Sequence, residues 1–129
     1  MSRRPAEFAF HPMPFPSPSR YRAVVRHVTD GDTFDCLVDL GFSSFQYLTV
    51  RVRNVDTPEV VGASRAAGLA AKARTEALCL GSAVALSTYA TDRTTFGRWV
   101  ADVTVWVDGH PQDLASVLRA EGHDVRGAA

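Results

Sequence analysis

A chain of 129 residues, 46% hydrophobic and 22% charged, has the composition of one globular domain and is too short to divide into two stable cores. Its formal net charge is zero, so whole-molecule attraction to a polyanion argues neither for nor against a nucleic-acid partner. No apolar run approaches the length of a membrane span, about 18 residues, and Pro12, Pro14, Pro16 and Pro18 interrupt any secretory core behind Arg3 and Arg4; a soluble, cytoplasmic monomer with no membrane partner is expected.

Met1 to Ser19 mix proline, serine and aromatics without a period, which predicts a flexible arm ahead of a domain over residues 20–129. Alternation from Tyr21 to Val28 predicts a first strand, and Asp30-Gly31 turns the chain. Thr33 to Leu40 forms a second strand, with Phe34, Cys36, Val38 and Leu40 on one face and Asp35 and Asp39 on the other. Cys36 and Cys79 lie in apolar stretches without metal-ligand spacing and are expected as core residues. After a turn at Gly41 to Ser44, Phe45 to Val55 is a third strand, ending where Thr57-Pro58 imposes an extended path.

Ser64 to Leu80 predicts a helix with Leu69, Ala73, Ala77 and Leu80 on its buried stripe, Ser64 as N-cap and Gly81 just beyond the end. Val84 to Thr88 and Trp99 to Val107 are two more strands. Asp108-Gly109 is a turn, and a short helix from about Gln112 to Glu121 stops at Gly122. The content is mainly β with helices, α+β in class, and the order suits a five-stranded OB-type Greek-key barrel with two helices.

Three segments carry residues suited to one chemistry: Asp30-Gly31-Asp32-Thr33, Arg51 through Asp56-Thr57-Pro58-Glu59, and Phe96-Gly97-Arg98. Asp32 and Asp56 are hard oxygen donors that a barrel rim could bring to one Ca²⁺ or Mg²⁺. Glu59, past the proline, could take a proton from water or orient it. Arg51 and Arg98 could fork onto a phosphate and neutralise charge building in an in-line displacement. Taken singly, each is also an ordinary turn aspartate, solvated glutamate or surface arginine. Strict alternation would put Arg51 and Asp56 on opposite strand faces, so a bulge or bend is required between them, and Asn54 is where the apolar alternation breaks. Lys72 is the one lysine; the arginine excess suits phosphate contacts, but a coding bias from GC-rich DNA accounts for it better.

In this order the elements resemble the staphylococcal nuclease (thermonuclease) family: the Asp30-Gly31-Asp32-Thr33 turn, an arginine five places before Asp56-Thr57-Pro58-Glu59, a Gly68-containing helix, Phe96-Gly97-Arg98, and an Asp113-Leu114 helix ending at Gly122. The resemblance runs from about Tyr21 to Val125. It implies that Asp32 and Asp56 ligate Ca²⁺ with the Thr57 carbonyl, that Glu59 is the base or water-orienting carboxylate, and that Arg51 and Arg98, with Phe96 beside them, bind the scissile phosphate. Phe96 lacks the hydroxyl of the tyrosine common at that place, and the stacking C-terminal segment of secreted members has no counterpart. A metal-dependent endonuclease acting on DNA or RNA is the expectation, with a catalytically silent OB-type module binding nucleic acid or protein as the alternative.

Overall fold

The computed structural model describes residues 19–88 and 98–127. The expected arm lies outside the described residues up to residue 18, as do Phe96 and Gly97. The elements run β1 (Ser19–Asp30), β2 (Thr33–Gly41), β3 (Ser44–Val52), α1 (Arg65–Cys79), β4 (Ala83–Thr88), β5 (Trp99–Val107), β6 (His110–Asp113) and α2 (Leu114–Ala120). A mainly antiparallel sheet of order β3-β2-β1-β4-β5-β6, with two helices, makes an α+β domain; β5 additionally pairs with β3 in parallel, Val50 opposite Trp99.

The alternation legible in the sequence decides which residues fill the core. Val25, Val28, Phe34, Cys36, Val38, Val50, Val52, Val103 and Val105 are almost wholly buried, and Leu114 and Leu118 of α2 close over them. Both cysteines are buried and free. Burial pushes each thiol up to about 12, helped at Cys36 by the charge of Asp35.

Several sequence expectations are corrected. Leu40 is 40% exposed rather than in the core, because the strand is already leaving the sheet for the turn, where Gly41, Phe42 and Ser43 all take positive φ. β6 was not expected: all four of its residues are exposed, so no apolar alternation announces it. It forms because Asp108 and Gly109 both adopt positive φ, the geometry of a two-residue hairpin loop, and Pro111 is tolerated because a sheet edge does not need its missing N–H. The last helix consequently starts at Leu114, with the Asp113 carboxylate accepting the Ser116 N–H at 3.0 Å.

α1 has the expected helical period in a different phase. Gly68, Ala71, Thr75 and Cys79 face inward, whereas Leu69 and Leu80 are 39% and 43% exposed and Ala73 and Ala77 are exposed. The contact face is made of small residues because the backbone beneath it approaches very closely. A Cβ on Gly68 would sit 2.1 Å from the Glu59 carbonyl oxygen, and one on Gly31 would sit 2.9 Å from the Ala71 Cβ. Ser64 stands at the N-cap position but its hydroxyl does not cap; it turns back to donate to the Glu59 carbonyl at 2.8 Å.

Candidate functional site

The β1–β2 turn, the end of β3 and the segment after it meet under α1. At the turn, the buried Thr75 hydroxyl donates to the Gly31 carbonyl at 2.6 Å, and Gly31 is wedged between Thr57 and Ala71. The residue that follows, Asp32, is 5% exposed. Its carboxylate is held on both oxygens: Oδ1 accepts the Thr33 hydroxyl at 2.9 Å and Oδ2 accepts the Thr57 N–H at 3.0 Å. The Asp32 carbonyl takes the Val52 N–H at 2.8 Å, which ties this turn to the end of β3.

β3 stops at Val52, earlier than the expected Val55, and Asn54 adopts the left-handed conformation at φ 67°. The break required between Arg51 and Asp56 is therefore a turn at Asn54, and it brings the two together. The Arg51 guanidinium donates to the carbonyls of Val52 and Val55, at 3.5 and 3.4 Å. Its Nη2 lies 3.3 Å from Asp32 Oδ2 and 3.2 Å from Asp56 Oδ1. One nitrogen thus bridges the two carboxylates expected to share a cation.

Asp56 is fixed from an unexpected direction. Its N–H donates to Asp124 Oδ1 at 3.2 Å, and its carbonyl accepts the Val125 N–H at 2.8 Å. Asp124 is 7% exposed and also accepts from the Arg126 N–H at 3.0 Å and the Arg126 Nε at 3.3 Å. Burial alone would raise this carboxyl, but the hydrogen bonds from Arg126 and Asp56 outweigh it and hold it below the ordinary carboxylate value. In the sequence Asp124 shows only as an aspartate just past a helix-stopping glycine, and spacing alone does not connect it with Asp56.

Glu59 is exposed, and its main chain is pinned by the Ser64 hydroxyl and packed against Gly68. Arg98 stands immediately before β5, half-buried. Both lie close enough to Asp30 for their charges to act on it: burial, then Glu59 and Asp32, hold Asp30 above the ordinary carboxylate value, while Arg98 and Lys72 pull it down. Asp30, expected only as a turn residue, therefore belongs to the same electrostatic neighbourhood. Arg51 contacts both Asp32 and Asp56, and Thr57 contacts Asp32; Glu59 and Arg98 act on Asp30 through their charges, and Phe96 is outside the described residues.

Ca²⁺ and Mg²⁺ take hard oxygen donors, and the set present has that chemistry: the carboxylates of Asp32 and Asp56 converge, Thr57 donates its N–H to Asp32, and among the described residues the buried Thr57 hydroxyl oxygen has no hydrogen-bond partner. Among the described residues no three His, Cys, Asp or Glu side chains gather in a metal-binding group, so the side-chain carboxylates would supply two ligands, with peptide oxygen and water completing the shell. The donors fit such a cation, provided the guanidinium between them gives way. No helix among the described residues is long and apolar enough to cross a membrane. No protein-family model matches the chain, and no curated protein matches it.

Proposed function

We propose that the chain is a metal-dependent phosphodiesterase that cuts DNA or RNA with little sequence preference, on an OB-type barrel of the staphylococcal-nuclease kind. The observation that carries this is the convergence of Asp32 Oδ2 and Asp56 Oδ1 on one Arg51 nitrogen, within 3.3 Å of it, beside a carboxylate influenced by Glu59 and Arg98. The barrel is supported by the pairing of β3 with β5, which joins the two ends of the β3-β2-β1-β4-β5 order.

In this proposal Asp32, Asp56 and an oxygen of Thr57 hold a Ca²⁺, which when bound lowers the pKa of water and offsets charge on a phosphoryl oxygen. Glu59, exposed and with no ion pair among the described residues, accepts a proton from the attacking water. Arg51, already restrained by two carbonyls, forks onto the phosphate once released from the carboxylates, and Arg98 contributes a second guanidinium. Nothing in this set addresses base edges, so sequence preference should be weak.

The test is Ca²⁺-dependent cleavage of single- and double-stranded DNA and of RNA by the full chain. Chelator should abolish it, and Glu59→Gln should lower it by about 10²-fold or more while the thermal unfolding curve stays unchanged. Chelator-resistant cleavage, or no cleavage of any nucleic acid, would overturn the proposal and leave the silent binding module.

A further inference from the structure

The outer face of the β2–β3 hairpin continues the candidate site along the same strand. Leu48, Val50 and Val52 of β3 turn toward the core, so Phe45, Tyr47, Thr49 and Arg51 share the opposite face, spaced by about 6.6 to 6.8 Å per two residues. Phe45 and Tyr47 are 58% and 57% exposed, and Phe42 at the hairpin tip is fully exposed. Register sets Asp39 and then Arg22 beside Phe45, and Leu37 and then Val24 beside Tyr47. Arg22 is paired with Asp39 at 3.3 Å. Arg26 has no ion-pair partner among the described residues, and with Leu37 and Tyr47 it lines a shallow hollow of about 430 Å³.

Large aromatic rings left in water are costly unless something covers them. Here they repeat along one strand, with an uncommitted guanidinium beside them and Arg51 at the far end. We infer that this face binds single-stranded nucleic acid, with bases stacked on Tyr47 and Phe45 and phosphates met by Arg26, and that it leads the strand toward Arg51. Single strands offer exposed base faces to an aromatic platform; duplex keeps them stacked inside. The polymer's identity rests on the proposed nuclease function, while the binding itself does not need catalysis. A protein partner would match the rings equally well but would leave the alignment with Arg51 without a purpose.

The experiment is fluorescence anisotropy of a labelled oligothymidylate with the full chain in EDTA, alongside the duplex of the same sequence. Phe45→Ala and Tyr47→Ala should each weaken single-strand binding by at least about fivefold, Tyr47→Trp should retain it, and Arg26→Gln should flatten its salt dependence by about 0.7 in log–log slope. All three sites are exposed, so thermal unfolding should not change. Equal affinity of wild type and the alanine variants, or equal affinity for duplex, overturns the inference; so does loss of self-association in sedimentation with oligonucleotide affinity intact, which would make the face a contact between copies. If wild type binds through these rings yet cleaves nothing with Ca²⁺, the inference stands and the nuclease proposal falls. If it cleaves and the alanine variants bind and cleave like wild type, the reverse holds.

Discussion

Gly68→Ala is the sharpest perturbation of the site that does not touch a polar group. In an exposed helix interior this change stabilises by about 0.5 to 1 kcal/mol, because alanine loses less backbone entropy on folding. In α1 the sign should reverse. The new Cβ would lie 2.1 Å from the Glu59 oxygen, 2.5 Å from its carbonyl carbon and 2.8 Å from the Val60 nitrogen. All three are main-chain atoms, so no rotamer change relieves the clash. The oxygen would have to retreat from 2.1 Å to about 3.4 Å, ordinary contact. Overpacking of this kind costs about 1 to 3 kcal/mol, enough to cancel the helix-propensity gain and leave a net loss. Moving Glu59 by about 1 Å should also cost about 10²-fold in turnover. Thermal or urea unfolding gives the first quantity and Ca²⁺-dependent cleavage the second. A variant as stable and as active as wild type would refute the claim that Gly68 sets the position of Glu59.

Asp124→Asn should destabilise the protein at neutral pH. The wild-type carboxyl is held below its usual value of 3.8, so its contribution is complete above that value and is lost as pH falls through the lower folded value; urea unfolding at several pH values should show the two proteins converging in acid. Thr75→Val leaves the buried Gly31 carbonyl without its 2.6 Å donor and should cost about 1 to 3 kcal/mol, with weaker Ca²⁺ binding by calorimetry because Asp32 follows directly. Phe34→Ala, at a fully buried ring, should cost about 3 to 5 kcal/mol in the same unfolding assay. Neither cysteine should react with iodoacetamide at pH 8 in the native state, since burial pushes both thiols up to about 12; alkylation should appear only on unfolding.

Much of the fold was legible because the centres of β2 and β5 alternate, with Phe34, Cys36 and Val38 and then Ala101, Val103 and Val105 buried on the inner face. The break at Asn54 was legible too, because Arg51 and Asp56 could not otherwise meet. α1 misled for a physical reason: burial normally selects large apolar side chains, but this helix sits so close to Gly31 and to the main chain of Glu59 that Gly68, Ala71 and Thr75 form the contact face, and Leu69 and Leu80 are turned out. β6 left no trace because an exposed edge strand needs no apolar pattern. For the candidate site, residue types pointed to Asp32, Arg51, Asp56 and Thr57, which are in contact. The hold of Asp124 and Val125 on Asp56 depends on three-dimensional closure over 68 positions and on no local motif, and the reach of Arg51 to Asp32 as well as Asp56 needs the β1–β2 turn brought against the end of β3.

That long-range hold has a temporal side. A ribosome delivers the chain from its N-terminus at about 5 to 20 residues per second, so Asp32, Arg51 and Asp56 are all made well before Asp124 and Val125. Until those two emerge, the peptide group of Asp56 has neither of its anchoring partners, and a half-made polypeptide emerging beside its own messenger carries that part of the site unfastened.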